Sequence, residues 1–183
     1  TNPGFTHLAQ YRDVEALNAA RLLAERWHSE AEILAILQAK SRDNARTPMQ
    51  WDDSLHAGFT SGTPWIEVSA NYPQLNAQRV ISQDASIYHY YRKLSQLRKS
   101  SAAIVAGEYQ IYFADDPQLY VYTRSLANEV VLVVNNFYGE NCTFILPEAL
   151  QSYFGVECLL NNYPELPDNW QQFTLRPYQS VVL

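Results

Sequence analysis

Lysine and arginine form no run longer than two in this sequence. Thirteen of them are scattered among 183 residues against nineteen Asp and Glu, for a net charge of −6 and a pI of about 5.1. A chain with no concentrated basic surface cannot grip a phosphate backbone or an anionic bilayer, so nucleic-acid and membrane partners are excluded. Apolar residues run together for five positions at most, as at Val130–Val134, where a helical membrane span needs about 20. The two cysteines, Cys142 and Cys158, are too few for a disulfide framework; reduced, structural thiols in a cytoplasmic protein are the expectation. His7, His28, His56 and His89 have no metal-ligand spacing with either cysteine, so neither a metal site nor a cofactor is expected. There is no internal repeat and no low-complexity tract, and no secretory leader is expected within these residues. Residue 1 is Thr, and the expectation is that further chain lies upstream.

What is present is an ordinary globular balance, 47% hydrophobic and 17% charged, with enough length to bury a core. Aromatics reach 13%, with thirteen Tyr and four Trp. Flat amphipathic rings line sugar sites and also fill β-sheet cores, so composition alone does not choose.

The sequence changes character along its length. Residues 13–40 have helical spacing, with Ile33, Leu34, Ile36 and Leu37 grouped behind a cap at Ser29 and Glu32 placed to complete a capping box. Residues 41–75 hold Gly58, Gly62, Pro48, Pro64, Pro73, Trp51 and Trp65 with no sustained period, the mark of a functional loop. A second helix is expected after Ser86, with Ile87, Tyr90, Tyr91, Leu94 and Leu97 on one face and Arg98 and Lys99 in its last turn. Beyond residue 102 the pattern turns to short β runs, predicted at 103–106, 109–113, 119–125, 129–136, 141–146, 154–160, 171–175 and 178–183, with Asp115-Asp116-Pro117 as a turn. Such spacing predicts an antiparallel sandwich. The apolar faces at 14–24 and 33–37 imply a partner that the β region does not supply.

One segment has the composition of a site. From Arg42 to Asp52 the chain carries Arg42, Asp43, Asn44, Arg46, Gln50, Trp51 and Asp52. Arginine offers a planar fork of donors, carboxylate and amide offer acceptors, and tryptophan offers a face on which a pyranose stacks. Polyol recognition needs that mixture, and so does a salt-bridged loop that locks a fold.

The run Ser41-Arg42-Asp43-Asn44-Ala45-Arg46-Thr47-Pro48-Met49-Gln50-Trp51-Asp52 resembles the signature loop of the oligo-1,6-glucosidase and trehalose-6-phosphate hydrolase branch of the α-amylase superfamily. The resemblance continues through His56-Ala57-Gly58-Phe59-Thr60, Pro64-Trp65-Ile66 and Tyr91-Arg92-Lys93-Leu94. The opening Thr1-Asn2-Pro3-Gly4-Phe5-Thr6 and Tyr11-Arg12-Asp13-Val14-Glu15 is similar to the phosphotrehalase side of that branch. In the β region the likeness rests on Asn161-Asn162-Tyr163 and Leu175-Arg176-Pro177-Tyr178.

The resemblance implies an α+β fragment. Residues 1–101 would be the end of a catalytic (β/α)₈ barrel with its substrate loop at 41–65, and residues 102–183 a C-terminal antiparallel β-sandwich domain. It implies a retaining α-glucosidase whose nucleophilic Asp, acid/base Glu and second Asp lie upstream of Thr1, so that no catalytic residue falls in this chain and the chain alone is inactive. It implies that Arg46 hydrogen-bonds the glucosyl unit in the −1 subsite. Arg42, Asp43 and Asn44 would brace the loop, and Gln50 and Trp51 would face the leaving sugar or pack. The partners implied are a small sugar and the upstream barrel. The other class of reading is a free-standing sugar-binding β module using Trp170, Tyr109, Tyr112, Tyr120 and Tyr122.

Overall fold

The computed structural model describes residues 2–153 and 156–183. They form two compact units, divided between Ser86 and Ile87.

The first unit is helical. Helix α1 covers Val14–Glu25 and begins behind Asp13, with Glu15 in a first turn that favours negative charge. It ends before Trp27, whose φ of 66° separates it from the next helix within the helical span expected over 13–40. Helix α2, Glu30–Lys40, restarts at the predicted box: the Ser29 amide donates to Glu32 Oε2 at 2.8 Å, and the Glu32 amide to Ser29 Oγ at 3.4 Å. A cap of this kind stabilises a helix by about 1 kcal/mol. Ile33 and Leu37 of α2 pack with Ala16 of α1 and with Phe5, Tyr11 and Ile66 in one buried cluster. Val14, Leu17 and Leu22 of α1 remain exposed, so much of its apolar surface has no cover within the unit.

Residues 41–75 have only 3₁₀ turns, at Arg42–Ala45 and Leu55–Gly58. The second contains His56, Ala57 and Gly58 in succession at φ of 54°, 58° and 66°. That bend turns the Ala57 carbonyl inward to accept the Trp51 amide at 2.9 Å and the Asp52 amide at 3.3 Å. A short helix that the sequence pattern did not predict, α3 at Ala77–Ser82, is capped by Asn76. Its first amides, Ala77 and Gln78, donate to the carbonyls of Gln50 and Trp51 at 2.8 and 2.9 Å.

The second unit opens with α4, Ile87–Ser100. Only part of its predicted apolar face is covered: Tyr90 and Leu97 pack on a buried cluster of Ala103, Val131, Leu160 and Val182, while Ile87 and Tyr91 are exposed. Residues 103–106, predicted as a strand, are instead within helix α5, Ala102–Ala106. The reason is at its start, where Ser101 Oγ accepts the Ile104 amide at 3.1 Å and Glu129 binds the Ser101 hydroxyl and the Ala103 amide. Gly107 ends it where a Cβ would lie 2.5 Å from the Ala103 carbonyl.

Among the described residues seven strands follow: β1 Glu108–Tyr112, β2 Leu119–Leu126, β3 Glu129–Asn136, β4 Cys142–Ile145, β5 Leu160–Asn161, β6 Gln172–Leu175 and β7 Ser180–Val182. The strand expected over 154–160 is reduced to β5, and positions 154 and 155 lie outside the described residues. One antiparallel sheet has the order β1-β2-β3-β7-β5, and β4 pairs with β6 in a second. The residue alternation sorts the first sheet's faces. Leu119, Val121, Leu132, Val134 and Val181 meet Phe144, Phe173 and Leu175 of the second sheet in one core, while Val131 and Val182 face α4 and α5. Each such side chain contributes about 1.5–3 kcal/mol by leaving water. The antiparallel sheets facing each other after a helical and looped segment are the α+β arrangement that the pattern predicts.

The Asn161-Asn162-Tyr163 motif proves to be a clasp. Asn162 Oδ1 accepts the Ser180 amide at 2.8 Å, Asn161 Oδ1 accepts from Gln179 Nε2 at 3.1 Å, and the Tyr163 hydroxyl donates to the Pro177 carbonyl at 2.8 Å.

Candidate functional site

The Arg42–Asp52 loop folds around two carboxylates, and only one of them lies within the loop. Asp43 is fully buried, and its Oδ2 accepts the amides of Arg12 at 2.7 Å and Asp13 at 2.9 Å. Asp13 is only 4% exposed and receives the Arg42 guanidinium side-on, Nη2 to Oδ1 at 2.6 Å and Nε to Oδ2 at 3.2 Å. That fork is charge-assisted and bidentate, the geometry in which arginine binds carboxylate best. It holds the Asp13 carboxyl below the usual carboxylate range, chiefly through the Arg42 hydrogen bond and then through the charges of Arg42 and Arg46, against the opposing effect of desolvation. The same pairing raises the Arg42 pKa. Glu15 adds a looser contact to Arg42 Nε at 3.4 Å.

Arg46 sits at the edge of this cluster. Its amide donates to the Asp43 carbonyl at 3.1 Å. Its side chain is 40% exposed, with Nη1 3.6 Å from Asp13 Oδ1. That is ion-pair range and beyond a hydrogen bond, so the donors of Arg46 remain available.

The other predicted residues are distributed by structure. Asn44 Nδ2 donates to the Gln38 carbonyl at 2.8 Å and ties the turn to the end of α2. Gln50 Nε2 binds Asn71 Oδ1 at 3.2 Å and also the Leu75 carbonyl. Trp51 has its amide fixed by Ala57 while its side chain is 53% exposed. The site therefore brings Arg42, Asp43 and Arg46 together, anchors Asn44 and Gln50 to backbone, and leaves Arg46 and Trp51 facing outward. Asp13 and Tyr11 were missed as members. Tyr11 is buried with its hydroxyl unpartnered, as is Asp43 Oδ1, and burial, then the Asp43 charge, raises the Tyr11 pKa. The only signal for Asp13 was its place among the opening residues of resemblance.

Elsewhere, Cys142 and Cys158 are free and pack against the sheet core; burial is the main cause that raises both thiol pKa values, which disfavours the thiolate form. Asp115 lies in a turn, where Asp116 Oδ1 caps the amides of Gln118 and Leu119 at 2.8 and 2.9 Å. Among the described residues no group of three His, Cys, Asp or Glu is placed to hold a metal ion. No described helix is long and apolar enough to cross a membrane.

A loop of paired arginines and buried carboxylates with an outward tryptophan thus precedes a two-sheet β unit in the chain. The alpha-amylase catalytic domain matches residues 8–107, and this chain belongs to that family. The C-terminal domain of the alpha-amylase SusG matches residues 119–182. The chain is 46% identical over its full length to the trehalose-6-phosphate hydrolase of Bacillus subtilis and 42% identical to the oligo-1,6-glucosidase of Bacillus cereus. Crystallographically, all of it superposes on the trehalose-6-phosphate hydrolase of Bacillus licheniformis with a TM-score of 0.90 at 47% identity, covering 33% of that chain. The trehalulose synthase of Pseudomonas mesoacidophila MX-45 follows the same fold, with a TM-score of 0.85 at 37% identity over the whole chain and 33% of its own. The chain spans about a third of the length of the curated relatives it matches, 32% of the first and 33% of the second.

Proposed function

We propose that this chain is the substrate-loop and C-terminal segment of a retaining α-glucosidase that hydrolyses trehalose 6-phosphate to glucose and glucose 6-phosphate in the cytoplasm. The carrying observation is the 46% identity across all 183 residues to a trehalose-6-phosphate hydrolase. Arg46, with free donors at the loop's outer edge, hydrogen-bonds the glucosyl unit, and Trp51 offers a ring face to the leaving sugar. The barrel portion ends at residue 101 and the β domain takes 102–183. A retaining glycosidase needs a nucleophile and an acid/base about 5 Å apart across one bond. The two buried carboxylates at this loop are otherwise engaged, Asp13 with Arg42 and Asp43 with two amides, and the resemblance implies that the nucleophile and acid/base lie on barrel strands outside the chain. By itself the chain has no hydrolytic activity.

The oligo-1,6-glucosidase activity of relatives 42% identical is the second reading, since only four points of identity separate the two. A free-standing sugar-binding module is less supported. Tyr109, Tyr120, Tyr122 and Phe137 tilt by 38° to 59° against their neighbours, the Tyr109 and Tyr120 hydroxyls are joined to each other at 3.2 Å, and Trp170 is half-buried against Phe173.

The test is an assay of the complete enzyme and of residues 1–183 on trehalose 6-phosphate and isomaltose. Hydrolysis of the phosphorylated sugar by the complete enzyme alone is expected. Preference for isomaltose moves the assignment to the second reading, and turnover by the isolated chain overturns the claim of inactivity. In the complete enzyme, Arg46→Ala should lower kcat/KM by roughly 10- to 150-fold, the loss of a charge-assisted bond of about 1.5–3 kcal/mol. Lys at this position should rescue poorly because a point charge does not copy a planar fork. A kcat/KM within about threefold of wild type makes Arg46 a brace.

A further inference from the structure

Arg46 has a long side chain at an exposed loop edge, and a useful donor there must not wander among rotamers. The structure supplies a fixed anion for it. Asp13 Oδ1 lies 3.6 Å from Arg46 Nη1, and that carboxylate is itself immobilised twice. Arg42 takes both of its oxygens, at 2.6 and 3.2 Å, and Asp43 Oδ2 holds its backbone amide at 2.9 Å. Asp43 fixes the other end as well, since its carbonyl accepts the Arg46 amide at 3.1 Å. One buried residue thus sets both the base of the anion and the base of the arginine. The division of labour between the two arginines follows from the same distances. Arg42 has its fork closed on Asp13, while Arg46 is held by charge without a hydrogen bond and keeps its donors open.

We propose that Asp13 is the positioning residue of the sugar site, aligning the Arg46 guanidinium while Arg42 neutralises and locks Asp13 in place. This rests on Arg46 contacting the glucosyl unit, and Asp13 itself touches no substrate. Removing the anion releases Arg46 into several rotamers, and the loss appears in the step that needs its geometry, because a small misplacement of a donor weakens transition-state contacts more than ground-state ones.

The experiment is a double-mutant cycle in the complete enzyme with trehalose 6-phosphate, or with isomaltose if that is the preferred sugar. Asp13→Asn, Arg46→Ala, the double variant and Arg42→Gln are each measured for kcat, KM and Tm. Asp13→Asn is expected to lower kcat/KM about tenfold, mostly in kcat, and to lower it less than about twofold further when Arg46 is already Ala. Arg42→Gln is expected to lower Tm with a smaller kinetic effect, because it loosens Asp13 without removing the anion. If Asp13→Asn does not fold, Asp13→Glu, which keeps the charge and lengthens the arm, carries the same comparison against Arg46→Ala. An Asp13 variant within about twofold of wild type, or one whose full effect persists without the Arg46 guanidinium, overturns the positioning role while leaving Arg46 as a ligand. An Arg46→Ala enzyme of normal kcat/KM removes the underlying reading instead, and the positioning role with it.

Discussion

Asp43 reaches back 30 residues to hold the amide of Asp13 at 2.9 Å. The same oxygen takes the Arg12 amide at 2.7 Å, so a single carboxylate joins the loop to the start of α1. Replacing it by a methyl leaves two amides without their acceptor in a buried place. Asp43→Ala should therefore lose about 2–4 kcal/mol of stability, whereas Asp43→Asn, which keeps an acceptor oxygen, should lose about half as much or less. Urea unfolding of both variants checks this, and equal midpoints for the two would show that the charge and not the acceptor matters.

Acid should weaken the first unit in a defined window. Three carboxyls are held below their ordinary pKa values: Asp13 chiefly by the Arg42 hydrogen bond, Glu32 by the Ser29 amide and then its hydroxyl, and Asp52 by the Ser54 hydroxyl and then its amide. A depressed folded-state pKa means that the unfolded chain binds protons first as pH falls. The stabilisation is complete above the unfolded values of 3.8 for Asp and 4.5 for Glu and is lost as pH drops through the lower folded ones. Tm should be flat from about pH 7 to 5 and fall below about 4. Asp13→Asn should start lower at neutral pH and show a shallower acid fall; an unchanged slope would remove Asp13 from this linkage.

Gly58 combines two constraints, of which Gly4 has one and Gly62 neither. Its φ is +66°, and a Cβ would lie 2.6 Å from Asp52 Oδ2, a carboxylate already tied to the Ser54 amide at 2.9 Å. Gly4 has a φ of +67° with nothing within 4 Å of its Cβ position, and at Gly62 the nearest atom is 3.8 Å away. Substitution by Ala should be near neutral at Gly62, cost about 1–2 kcal/mol at Gly4, and cost more than that at Gly58. Thermal unfolding of the three variants tests the order, and equal effects at Gly4 and Gly58 would mean that Asp52 gives way freely.

The elements most legible in the sequence were those with a local cause. The Ser29–Glu32 box and the alternation of β2 and β3 depend on neighbours a few residues away, and both emerge where predicted. Ala102–Ala106 was misread because a short apolar run fits a strand or a buried helical turn equally well; what decides it is Glu129, 28 residues from Ser101. The site divides in the same way. Arg42, Asp43 and Arg46 stood out as a cluster in the sequence, but Asp13, the carboxylate that organises them, lies 29 residues before Arg42 and carries no local mark.

The strand order of the sheet also sets an order of events in time. β2 and β3 are a hairpin in which Leu126 opposes Glu129, so their pairing requires closing only a very short loop. β7 must travel from residues 180–182 to insert between β3 and β5, where Val181 and Val182 meet Val134 and Val133. Long-range pairings of that kind come late, because loop closure costs entropy before contacts repay it. Until β7 and Leu183 arrive, one edge of β3 is bare from Leu132 to Asn135, and it continues the apolar run that begins at Val130. A nascent or refolding chain with that edge open can pair with another copy as readily as with its own last strand. The yield of native protein on refolding is then a race between a first-order and a second-order reaction, and dilution favours the native one.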